Sequence, residues 1–361
     1  MRIFRWAFAL AAIITISAHA QAPTPVLAPV PPESRSFKIV EVADGVYAGI
    51  GLNGVFGNGA FIVNRDNVLV VDTQERPSWA RDFIADIRQI TPKPVHYVVN
   101  THFHRDHSQG NQAYVEAFGP DVEIIAQDAA REEMLTENVE VLQQSVTTEL
   151  PNEIAQLEKI LADGTDAHGQ PLTAADRAST EHKLALVKAY LAEIPQIRIT
   201  PPTLTYDRRL TLHTPDRDIC LYHFGLGHTR GDTVVYLPKE KIVITGDLLT
   251  FNFPNMKDSY PVELVSTLES IDKLDWDHAI PGHGEVEDNH QQIQLLLAYM
   301  RDMVAAVRDA VAKGLTLDQA TQTIDLSRYS SIPGFAAGNP LAIARAYNEI
   351  TGKTSMPAAT P

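Results

Sequence analysis

From Phe37 onward the apolar residues come in short runs separated by polar turns. Residues 37–42 alternate apolar and polar, and 46–50, 60–63 and 68–71 are compact apolar stretches, so each predicts a strand. Between 78 and 90 the period changes. Trp79, Phe83, Ile84, Ile87 and Ile90 recur at helical spacing and predict an amphipathic helix. The run Val95-His96-Tyr97-Val98-Val99 predicts a buried strand, 111–118 a helix and 122–126 another strand. From about 128 to 197 strand patterns stop. Residues 128–144, 151–162 and 173–194 are rich in Ala, Glu, Leu and Lys and predict helices, with a break at 163–169. Strands resume at 204–206, 209–212, 218–224, 233–237 and 241–245. A helix over 262–274 and a short strand at 278–281 follow, and the remainder is helical at 289–313, 316–324 and 341–351.

This order of elements describes an α/β protein with a helical insertion at about 128–197 and a helical C-terminal extension at 291–352. Residues 353–361 are expected to be a disordered tail. The first twenty residues follow another logic. Arg2 and Arg5 precede a short apolar run, Trp6 to Ile16, and Ala18-His19-Ala20 has the small-x-small pattern of a cleavage site. That run falls short of the roughly 20 residues a bilayer span needs. The expectation is a signal peptide at 1–20, a periplasmic or secreted product and no stable membrane insertion after cleavage. Residues 21–36 hold Pro23, Pro25, Pro29, Pro31 and Pro32 and are expected to form an extended linker.

The formal charge of −15 argues against a nucleic-acid partner, which calls for a basic surface, and favours a small-molecule substrate. With Cys220 the sole cysteine, no intramolecular disulfide and no multi-cysteine metal site can form. Metal chemistry must come from imidazoles and carboxylates. Residues 102–107, His-Phe-His-Arg-Asp-His, place four such groups in six positions at the end of a predicted strand. His102 and His104 share one side of an extended segment, whereas Asp106 and His107 follow on the turn and can face a second point. Three more positions share this setting beside glycine. They are His228 after Gly227, Asp247 after Gly246 and His283 after Gly282. His96, His213, His223, His278 and His290 have no partners in sequence and are expected to be structural or exposed.

The motifs His102-x-His104-x-Asp106-His107, Gly227-His228-Thr229, Gly246-Asp247 and Gly282-His283, with Asp72 closing the 68–71 strand, resemble those of the metallo-β-lactamase superfamily in content and order. The resemblance covers roughly residues 38–290 apart from the insertion, and sets the expected domain at 37–290. It implies an αββα sandwich. It also implies two divalent metal ions, zinc above all. His102, His104 and His228 would hold the first, Asp106, His107 and His283 the second, and Asp247 would bridge them. Two ions about 3.5–4 Å apart can share a hydroxide nucleophile, which Asp106 would orient as the catalytic residue. Asp72 and Asp232 are expected to orient ligands from behind, and Tyr260 to touch substrate. An aspartate at the bridging position resembles thioesterases and lactonases of the superfamily more than its lactamases. The expected activity is therefore a secreted hydrolase of an ester, lactone, thioester or amide. Lactam cleavage and a one-iron persulfide dioxygenase chemistry are the alternatives.

Overall fold

The computed structural model describes residues 36–166 and 169–353. The expected signal peptide, all of the linker but Ser36, residues 167 and 168 of the expected break, and the tail from residue 354 lie outside the described residues. Among the described residues no helix is long and apolar enough to cross a membrane.

Two sheets lie face to face. The first has seven strands in chain order: β1 (Phe37–Ala43), β2 (Val46–Gly51), β3 (Gly59–Val63), β4 (Val68–Val71), β5 (Val95–Val99), β6 (Glu123–Gln127) and β7 (Leu204–Tyr206). Its β1–β4 half is antiparallel and its β4–β7 half parallel. The second sheet has the order β12-β11-β10-β9-β8, built from β8 (Arg209–His213), β9 (Asp218–Tyr222), β10 (Val234–Leu237), β11 (Ile242–Thr250) and β12 (His278–His283). Only β11 and β12 run parallel in it.

Alternation along the strands explains the layers. Leu69 and Val71 of β4 face inward and meet Ile219, Leu221, Val235, Ile242 and Ile244 of the opposite sheet. Val68 and Val70 face outward and pack under Trp79, Phe83 and Ile87 of α1 (Pro77–Ile90) and Ala113 and Tyr114 of α3 (Asn111–Phe118). Cys220, between Ile219 and Leu221, turns to the other outer layer. There it joins a core with α8 (Pro261–Asp272), α9 (Gln291–Ala312), α10 (Leu317–Thr323) and α11 (Phe335–Ile350). The result is an αββα sandwich with extra C-terminal helices.

Between β6 and β7 the chain builds its own small core. Leu150 and Leu157 of α6 (Leu150–Asp163) pack on Val187 and Tyr190 of α7 (Ala174–Glu193). The helix expected over 128–144 is divided. It stops at Thr136, whose hydroxyl bonds back to the Glu132 carbonyl, giving α4 (Asp128–Leu135) and α5 (Glu137–Gln144). A π-helical turn, Ser145–Glu149, joins α5 to α6. The last helix starts at Phe335, ahead of the expected 341, and carries Pro340 inside it. Proline removes one donor there. The first turns are nonetheless held by Phe253, which packs on Phe335 and against Gly338, where a Cβ would lie 2.1 Å from its ring.

Candidate metal centre

The loop after β5 carries the densest motif. His102 and His104 lie on extended chain. Asp106 and His107 sit in a one-turn helix, α2 (Arg105–Ser108), and not on an open turn. The loop is fixed from behind. The His107 carbonyl accepts from the Thr73 N–H at 2.9 Å and the Asn100 amide at 3.0 Å, and Asn100 and Asn111 exchange hydrogen bonds beneath it. His228 comes from the β9–β10 connection. Asp247 lies inside β11, which does not end at Thr245 but continues through two irregularities in its pairing with β12. Gly246 makes that possible. Its φ is +52°, and a Cβ would meet the Thr101 hydroxyl at 2.4 Å. Gly282, beside His283, has the same restriction, since a Cβ there would lie 2.0 Å from Asp247 Oδ1.

These elements bring the seven side chains together as two adjoining clusters. In the first, His104 Nδ1 lies 3.0 Å from His102 Nε2 and 3.1 Å from His228 Nε2. In the second, Asp106 Oδ2 lies 3.4 Å from His107 Nε2 and 3.3 Å from His283 Nε2. Asp247 serves both. Its Oδ1 is 3.3 Å from His107 Nε2 and 3.2 Å from His283 Nε2, while its Oδ2 is 3.6 Å from His228 Nε2. A tetrahedral zinc with bonds of about 2.0–2.1 Å spaces its donors about 3.3–3.4 Å apart. Both clusters are close to that spacing.

Polar accounting gives the same answer. His107 Nε2 and Asp247 Oδ1 are buried without a hydrogen-bond partner among the described residues, and both point at the second cluster. Such orphaned groups are costly unless something else binds them. Charge also fits. Burial, then the neighbouring imidazoles, hold His102 well below the usual imidazole range. Burial pushes His228 down to about 4. Both rings therefore stay neutral, as metal donors must. In the second cluster burial opposes charge, yet Asp106, Asp247 and Asp72 outweigh it and push His107 well above its ordinary value. Burial likewise opposes charge at His283, but Asp247 and Asp106 raise it to about 9. That concentration of carboxylate calls for positive charge at a point that a divalent cation suits.

Partners behind the ligands set their tautomers. Asp72, held at φ +61°, accepts from His107 Nδ1 at 2.7 Å, which leaves Nε2 free for the cluster. It also accepts from the Thr101 N–H and hydroxyl, both at 2.7 Å. With its hydroxyl hydrogen committed to Asp72, Thr101 receives the His102 Nδ1 hydrogen at 3.1 Å. Asp72 thus supports a ligand in each cluster. Asp232 has a different place. It accepts from the Thr229 N–H and hydroxyl and shapes the turn after His228, without touching a ligand ring. Burial pushes its carboxyl up to about 7. Tyr260 is buried ahead of α8, its N–H bonded to the Gly227 carbonyl at 2.8 Å, and it does not line the pocket that opens onto the two clusters.

Sequence reasoning missed two partners. Asp258 Oδ2 lies 3.0 Å from His104 Nε2 and so presents Nδ1 to the first cluster. Asn58 donates its amide to the carbonyls of Pro281 and Gly284 and fixes the turn that carries His283. Neither sits in a recognisable motif. Of the other histidines, His213, His278 and His290 pair with Asp218, Asp288 and Asp272, and His223 bonds the Asp232 carbonyl.

A pocket of about 470 Å³ opens onto the two clusters, where His104, Asp106, Asp247 and His283 line it. Phe56, Phe103, Val141 and Phe253 give it an apolar lining, and the insertion contributes Glu137, Asn138, Val141 and Glu149.

The sequence model described as the metallo-beta-lactamase superfamily matches residues 52–283. The chain belongs to this superfamily. The match spans the first of the seven ligands through the last. A linear primary-alkylsulfatase of Pseudomonas sp. (strain ATCC 19151) is 25% identical over 275 residues, covering 72% of this chain and 48% of that protein. The chain therefore spans about half the length of that curated relative. Among solved structures, VMB-1 aligns with a TM-score of 0.51 and 16% identity over 74% of this chain and 98% of its own. The DIM-1 metallo-beta-lactamase aligns with a TM-score of 0.50 and 16% identity over 74% and 97%. At that identity they show the superfamily's fold alone. The fold and the paired donor clusters fit a site for two metal ions, with a donor set that suits zinc.

Proposed function

We propose that the protein is an exported dinuclear hydrolase that cleaves an ester, lactone, thioester or amide bond in a small organic substrate. The observation that carries this reading is Asp247, whose two oxygens face the two clusters separately. His102, His104 and His228 would hold one ion, Asp106, His107 and His283 the other. Two divalent ions supply a hydroxide near neutral pH and a Lewis acid for the scissile group. The protein's own groups do the rest. Asp106, with Oδ2 directed into the second cluster, offers its other oxygen to orient the attacking water. Asp72, Thr101 and Asp258 hold the imidazoles in the tautomers that donate inward. Phe56, Phe103, Val141 and Phe253 exclude water and receive the apolar part of the substrate.

A sulfate ester is the second reading, and similarity to the alkylsulfatase is what favours it. A lactam substrate has no such support, because the lactamase structures are alike in fold alone. A one-iron dioxygenase would leave Asp106, His107 and His283 without a task. The test is metal content per chain, oxygen uptake, and a hydrolysis screen with chromogenic esters, lactones, thioesters and lactams and an alkyl sulfate. Two metals per chain and oxygen-independent hydrolysis are expected. One iron per chain with oxygen-dependent turnover would overturn the proposal.

A further inference from the structure

The last helix, α11, lies beyond residue 283, where the superfamily match ends. It nonetheless reaches the metal centre. The chain from β11 into α8 is tied repeatedly to the C-terminal extension. The Phe253 N–H donates to the Pro333 carbonyl at 2.7 Å, and the Val262 N–H to Glu349 Oε2 at 3.0 Å. Arg345 of α11 donates its Nε hydrogen to the Ser259 carbonyl at 2.6 Å, and its guanidinium lies 5.6 Å from the Tyr260 ring centre. The Arg345 contact bears on the site. The peptide that accepts from Arg345 donates on its other side, through the Tyr260 N–H, to the Gly227 carbonyl at 2.8 Å. A cation on a peptide's carbonyl strengthens the donation from its N–H. The Ser259 hydroxyl donates to the same Gly227 carbonyl at 3.0 Å. Gly227 precedes the ligand His228 in a tight turn, where a Cβ would lie 2.7 Å from Leu248 and 2.8 Å from Asp232. One residue before Ser259, Asp258 lies 3.0 Å from His104 Nε2. Ser259, Tyr260 and Gly227 are all buried, so bonds lost among them are costly. His104 and His228 of the first cluster thus depend on one short stretch, 258–260. The second cluster is held from elsewhere, by Asp72 behind His107 and by Asn58 beneath the turn of His283.

We infer that Arg345 is a positioning residue of the first metal site. It acts from the C-terminal extension through the Ser259–Tyr260 peptide, on the turn of His228 and on Asp258 behind His104. This rests on the first donor cluster holding a metal ion, as in the function proposed above, and not on which bond is cleaved.

The test is a zinc titration of the full chain against a chromogenic chelator. A His283→Ala background reads the first cluster and a His228→Ala background the second. Coupling through such a network of contacts is worth about three- to tenfold, so Arg345→Met should weaken zinc at the first cluster by about that factor and leave the second unchanged. Arg345→Gln should do the same, and Arg345→Lys, which keeps a cationic donor, should recover most of the loss. Ile343→Ala removes a fully buried apolar side chain from the same helix. It should lower the thermal stability of the metal-free protein and leave both zinc affinities intact. No change in Arg345→Met and Arg345→Gln, an equal loss at both clusters, or the same loss in Ile343→Ala would overturn the inference. The hydrolysis screen described above, run in parallel on the wild type, reports on the hydrolase reading separately. No hydrolysis of any substrate with the zinc result intact would sink that reading and leave Arg345's role standing.

Discussion

Asp258→Ala isolates what a carboxylate behind a metal ligand contributes. In the native protein Asp258 Oδ2 sits 3.0 Å from His104 Nε2. That contact selects the tautomer in which Nδ1 faces His102 and His228. Removing it lets the ring rotate and lets the wrong nitrogen carry the hydrogen. Loss of such a partner typically costs 10–100-fold in metal affinity, or about 1.4–2.7 kcal/mol. The cost should fall on the first cluster alone, because Asp258 touches no ligand of the second. Fold stability should change by less than about 1 kcal/mol, since the Asp258 side chain is 37% exposed and its ion pair is open to screening. The assay is a competitive zinc titration against a chromogenic chelator, with thermal unfolding of the metal-free protein as control. Two binding steps are expected, one of them weakened by 10–100-fold. Identical zinc affinities in wild type and variant would refute the reasoning, and so would weakening confined to the second step.

Three further outcomes can be checked. His228→Ala should empty the first cluster preferentially and His283→Ala the second, which metal content per chain measures. Glu349 of α11 lies against Glu263 of α8, and burial followed by that contact pushes its carboxyl from 4.5 to about 8. Its folded-state proton stabilises the protein fully below about pH 4.5, and the contribution is lost as pH rises through 8. Glu349→Gln should therefore flatten the decline in urea-unfolding free energy between pH 5 and 8.5 by about 2 kcal/mol after discounting for solvent access. An unchanged slope would contradict the assignment. Finally, N-terminal sequencing of the exported protein should begin at Gln21, and retention of Met1 in a soluble cytoplasmic form would remove the export proposal.

The ligand residues were legible because four stand together at 102–107 after one strand run, and His228, Asp247 and His283 each follow a glycine after another apolar run. Asp72 was legible because it closes the 68–71 run. Asp258 was not, because its partner His104 lies 154 residues away and only the folded β11–α8 loop joins them. Local pattern also misplaced some boundaries. The apolar run at 241–245 seemed to end before Gly246, but the pairing irregularities there let the strand continue while the Asp247 carboxylate turns inward. The last helix was expected to begin at 341, but it starts at Phe335, whose ring packs on Phe253.

The insertion shows most clearly where sequence order and physical unity part. By composition it is an excursion between two strands, with its own apolar core. Its contacts make it part of the metal loop. Arg105, between the ligands His104 and Asp106, reaches Ser145 and Glu149 in the π-helical turn. Asn138 donates to the Phe103 carbonyl at 2.6 Å and to the Ser108 hydroxyl, and is buried while doing so. Tyr190 bonds Gln109 at 2.7 Å, just past the motif. A cover that merely closes over a finished site needs no buried hydrogen bonds to the backbone of that site. Such bonds are expensive to leave unmade. Removing the insertion would expose the Phe103 carbonyl and leave Arg105 with Glu75 but without Ser145 and Glu149, so the geometry of the ligands and the shape of the pocket depend on the same set of contacts.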